Sequence, residues 1–145
     1  MKITAETWTM IQEHLGYNDE EMEIFKKLPR NTDVMAAAPE LLNKTITCTV
    51  VESHGCNTRH KVGDTFYFDG AGNLLTKLNP KRICVHVLAV MSPLIFTVNE
   101  MIYAGVDPND IRFNRFGCFD VGVKCGGWGR VIVEIKVIDR TDKQN

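Results

Sequence analysis

The chain has 145 residues, 44% of them hydrophobic and 24% charged, with a net charge of −1. That balance excludes the clustered cationic footprint of a nucleic-acid binder. The length suits one domain with an appendage, large enough to fold without a metal or disulfide.

Residues 1–44 read as helical and polar, an appendage to the main fold. Trp8, Ile11 and Leu15 recur at helical spacing, and Gly16 supplies a stop. Asn18 with Glu21 resembles a capping box opening a short helix that Pro29 ends. A third helical piece is expected over residues 34–42, with Pro39 at its first turn. No side chain here has a pattern that suggests chemistry, so the segment is read as a packing or docking arm.

From Thr45 the period changes to two. Residues 45–51 alternate and are rich in β-branched side chains, which predicts a strand with Ile46, Cys48 and Val50 on one face. Cys48 is therefore a small core hydrophobe. Residues 64–68 form a second strand, and the turn Asp69-Gly-Ala-Gly-Asn leads to a third at 74–78. The apolar run from Cys84 to Tyr103 predicts a buried helix, broken or kinked at Pro93. One or two short strands are expected within 112–123 and a clear one at 131–137, followed by a frayed tail over 139–145. The fold class is α+β: a small, mainly antiparallel sheet packed on one long apolar helix, with residues 45–138 as the core domain.

No apolar run reaches about 18 residues without polar interruption, so no membrane span is expected. The first residues lack the apolar core of a signal peptide, which points to a cytoplasmic protein. In a reducing compartment, five cysteines are free thiols, metal ligands or redox groups before they are disulfides.

The candidate site begins between the first two strands, where His54, Cys56 and His60 crowd into seven residues. Cys84 heads the apolar helix just after Lys81 and Arg82, and Cys125 sits in a glycine-rich loop before the last strand. The loop after the first strand, the helix head and the last loop can share one end of a small sheet. Cys56, His60, Cys84 and Cys125 then make a Cys3His set suited to zinc, or to iron or an iron–sulfur cluster. The same residues admit a nucleophile reading, with Cys84 attacking and His60 as its base. A third possibility is that the thiols are buried core groups. His54, two residues from Cys56, would lie on the same side in an extended stretch, and Asp64 would orient an imidazole or cap a turn. Cys118 is expected in the core, His86 as a satisfied core histidine, and Trp128 buried.

Residues 45–138 resemble a family of small uncharacterised bacterial proteins. Their pattern is a strand leading to Cys, then Gly-His-x-x-Gly-Asp, a helix-heading Cys, and a Cys before the last strand. The matching positions are Cys56, His60, Gly63, Asp64, Cys84 and Cys125. Arg59 replaces a glycine of that pattern, and Cys125-Gly-Gly-Trp replaces Cys-Pro-Asp-Pro. The resemblance implies that Cys56, His60, Cys84 and Cys125 act as a set, and implies no activity.

The expected function is a metal- or iron–sulfur-binding protein, an accessory subunit of a larger metabolic enzyme or a homo-oligomer. The alternative is a small enzyme using a Cys/His or metal-activated group on a small molecule.

Overall fold

The structure is a computed structural model that describes residues 3–140. The chain divides into two compact units, residues 1–40 and 41–145.

The first unit is helical: α1 (Ala5–Leu15), α2 (Asp19–Lys27) and most of α3 (Pro29–Leu42). Gly16 closes α1 at φ 70°, a left-handed conformation that glycine adopts without a Cβ penalty. The Asn18/Glu21 capping box is present in both directions, at 2.9 Å each way. The aromatic rings of Trp8 and Tyr17 both pack on Phe25. Pro29 does not merely end α2. It starts α3, where a residue lacking an N–H costs nothing, and Pro39 falls inside α3 instead of at its start.

The second unit is the α+β fold. Strands β1 (Lys44–His54), β2 (Thr65–Asp69), β3 (Arg115–Gly117) and β4 (Arg130–Asp139) form an antiparallel sheet in the order β2-β1-β4-β3. Ile46, Cys48 and Val50 share one face, paired with Val137, Ile135 and Val133 on β4. The nineteen-residue helix α4 (Val85–Tyr103) buries Val87, Met91, Ile95, Val98 and Ile102 in the same cluster. That spacing of three or four residues is one helical stripe. Pro93 forgoes one backbone bond, yet α4 runs through it, flanked by the buried Met91 and Ile95. By length and composition alone α4 would pass as a membrane-crossing helix, a test that a core helix also passes, and one face of it belongs to the core.

One expectation is corrected by backbone bonding. The third strand at 74–78 is absent, with only a bridge between Leu74 and Phe68. The Tyr67 carbonyl accepts the Leu75 N–H at 2.9 Å, but the Asn79 side-chain amide also bonds both polar groups of Tyr67, at 3.0 and 2.9 Å, and pairing goes no further. Within 112–123 one short strand, β3, is present, in line with the one or two expected. From residue 141 onward, the tail expected to fray lies outside the described residues.

Candidate functional site

The end of β1 sets up the first wall of the site. A register shift between Val50 and Glu52 makes Val51 a bulge, so Ser53, not His54, shares the face of Val50 and Val131. Gly55 then turns the chain at φ 66°. His54 is consequently exposed and pairs with Arg130 across the ladder, outside the group of residues around Cys56. The simple alternation that would have placed it beside Cys56 is broken twice.

The loop that follows is tied to itself. The Ser53 hydroxyl donates to the His60 carbonyl, and the Arg59 N–H donates to Cys56 O at 3.0 Å. Arg59 has φ 63°, a conformation that favours glycine. This is the position where the resembled pattern has glycine. Asp64 caps the turn by accepting the Lys61 N–H at 3.0 Å, and Gly63 and Asp64 bond to Val50 at 2.9 and 2.8 Å.

These bonds bury His60, which is 5% exposed, with its ring edge-on to Phe66 at 5.1 Å. Its Nε2 accepts the backbone N–H of Cys84 at 3.4 Å. An accepting Nε2 requires a neutral imidazole carrying its proton on Nδ1. That Nδ1 faces the Asp64 carboxylate at 3.8 Å. Burial holds the imidazole below its ordinary pKa, and Asp64 partly offsets this. Asp64 thus serves both roles expected of it, turn cap and imidazole neighbour.

Cys84 occupies the N-cap position of α4 and makes no side-chain capping bond. Together, the loop after β1, the head of α4 and the segment joining β3 to β4 line a half-open cavity of about 340 Å³. Cys56, His60 and Cys84 line it; Cys125 does not and is exposed. Gly122, at φ 80°, opens a short 3-10 turn from Val123 to Cys125 that closes when Gly127 N–H bonds Gly122 O at 2.9 Å. Cys118 stands on the cavity wall instead, partly buried, where a core position had been expected. Among the described residues, no three or more His, Cys, Asp or Glu side chains gather closely enough to hold a metal ion. The donor set does not form a ready shell for zinc or a cluster.

Among the other wall residues, His86, Phe119, Asp120 and Arg130 were not singled out from the sequence as site residues. His86 is exposed, with its ring edge-on to Phe119 at 6.4 Å, and is no core histidine. Trp128 is 79% exposed, against the expectation of burial. The one signal available beforehand was Asp120 just ahead of a glycine-rich run, a pattern of side-chain bonding to backbone.

The fold and site therefore define an α+β chain with thiols and imidazoles around a ligand-sized cavity. Compared with known proteins, the chain matches no family model, no curated protein and no solved structure.

Proposed function

We propose that the cavity is the active site of a small enzyme that attacks an electrophilic carbon of a small organic substrate with sulfur. Cys84 is the nucleophile, His60 accepts its proton at Nε2, and Asp64 holds the imidazole in the Nδ1–H form. The observation that carries this reading is the order Asp64, His60, Cys84: the carboxylate faces Nδ1 at 3.8 Å and Nε2 accepts the backbone N–H of Cys84 at 3.4 Å, a bond the thiol of the same residue replaces when it gives up its proton. A cavity of about 340 Å³ beside it has room for a small substrate, near the lower end of ligand-pocket sizes. The thiol proton goes to His60 as the carbon–sulfur bond forms and the bond from that carbon to the departing group breaks; the group leaves with the proton, and water then cleaves the carbon–sulfur bond and restores the thiol. Five free cysteines fit a reducing, cytoplasmic setting.

The test is alkylation followed residue by residue in the intact protein. Among the cavity thiols Cys84 reacts first, and His60→Gln slows it by about 10²-fold, the low end of a general base's contribution. Equal rates at Cys84 and Cys118, unchanged in the variant, would sink the reading.

The metal-binding reading has a specific observation in its favour. Three thiols, Cys56, Cys84 and Cys118, face one cavity with His60. Zinc or an iron–sulfur cluster there would need these side chains to move inward. An accessory role in a larger enzyme would use the exposed Phe119, Val121, Val123 and Trp128 nearby. Elemental analysis and a visible absorption spectrum of anaerobically purified protein decide it. Metal near one equivalent, lost in Cys56→Ala, supports this reading over the first.

A further inference from the structure

Asp120 is the hub of the segment between β3 and β4. Its Oδ1 accepts the N–H groups of Gly122 and Trp128 at 3.0 and 2.9 Å, and its Oδ2 accepts that of Gly129 at 2.8 Å. The bonds from Gly129 and Gly122, joined by that from Trp128, hold its pKa below the ordinary carboxylate value. The clasp leaves no room for side chains at its closure. A Cβ on Gly127 would collide with the Asp120 carboxylate, and one on Gly129 would collide with Gly55 and lie 2.8 Å from Cys56 N.

The composition of the loop follows from this geometry. One carboxylate gathers backbone from both ends of a ten-residue excursion, from Asp120 to Gly129, and the approach requires glycine at 127 and 129. The clasped loop presents Phe119, Asp120, Gly129 and Arg130 to the cavity, and its Gly129 lies against the turn that carries Cys56.

We infer that Asp120 is a positioning residue: by holding this loop shut, it sets the size of molecule that can reach the cavity thiols. The inference rests on the reading of the cavity as the substrate site. Its test, however, needs no catalysis.

Two maleimides with the same reactive group, N-ethylmaleimide and fluorescein-5-maleimide, are reacted with the full chain, and each cysteine is followed by peptide mass spectrometry. The rate ratio of small to bulky reagent at Cys56 and Cys118 is divided by the same ratio for free glutathione in solution. In the wild type this quotient is well above one. In Asp120→Asn, whose amide cannot accept on both arms, it falls about tenfold while buried Cys48 stays unlabelled. A wild-type quotient near one, or an unchanged quotient in the variant, overturns the inference. If Asp120→Asn exposes Cys48 to labelling, Gly127→Ala, which breaks the clasp sterically, is read the same way. Labelling of Cys48 in both variants also overturns it, because the clasp would then support the whole fold and not the loop. His60→Gln leaves the quotient unchanged, so failure of the catalytic reading is seen separately.

Discussion

Nε2 of His60 lies 3.4 Å from the backbone nitrogen of Cys84, a residue 24 positions further along the chain. This contact joins the loop after β1 to the head of α4, so the protonation state of one imidazole affects how the two halves of the site meet. A protonated His60 could not accept that N–H.

The pH dependence follows with a definite sign. The folded imidazole is held below its ordinary pKa, chiefly by burial, so as pH falls the unfolded chain takes up the proton first. The neutral ring's contribution is complete above about pH 6.5, the ordinary histidine value, and is lost as pH falls through the lower folded value. The melting midpoint of the wild type is expected to drop between about pH 7 and pH 5 more steeply than that of His60→Gln. Parallel curves for the two proteins would show that His60 is not the group responsible.

Arg59 is the one described non-glycine residue with positive φ, at 63°. A side chain there costs roughly 1–2 kcal/mol relative to an ordinary conformation, and glycine escapes it at some entropic cost in the unfolded chain. Arg59→Gly is therefore expected to stabilise the protein by up to about 1 kcal/mol in chemical denaturation. Arg59→Val, with a β-branched side chain, is expected to destabilise it. A destabilised glycine variant would mean that the arginine side chain itself holds the loop.

Gly129 and Gly55 meet backbone to backbone beside Cys56. A methyl group at Gly129 has rigid neighbours, so Gly129→Ala is expected to cost about 1–3 kcal/mol, as overpacking does elsewhere. It should also change the alkylation rate of Cys56 while leaving Cys48, which is fully buried with its thiol pushed up to about 12, unreactive at neutral pH. A stable variant with unchanged Cys56 reactivity would show that this approach does not position the thiol.

The parts of the fold legible in the sequence were those that one local period determines. The alternation of β1 placed Ile46, Cys48 and Val50 in the core, and the apolar run ending at Tyr103 gave α4 to within a residue of its start. What escaped depended on bonds made at a distance. A strand at 74–78 was cut short where the Asn79 amide bonds Tyr67, and His54 was turned outward by a bulge that no alternation rule anticipates. The site was half legible for the same reason. Cys56, Cys84 and Cys118 each stand at the end or head of an element, Cys118 with its N–H on Val131 O at 3.0 Å, whereas Cys125 lies inside the loop closed by the Asp120 clasp, whose partners can only be known once the loop closes.

Cys84 gives α4 no side-chain cap. A serine there could accept an N–H of the first turn, and good N-caps are worth about 0.5–2 kcal/mol over residues that cannot bond. The helix that carries five of the fifteen buried core residues thus starts with a residue poor for stability, at a position where a better one differs by a single atom. Cys84→Ser is expected to raise the unfolding midpoint while removing the sulfur. A protein that becomes sturdier as it loses its chemistry is one in which that residue was kept for work at the expense of durability.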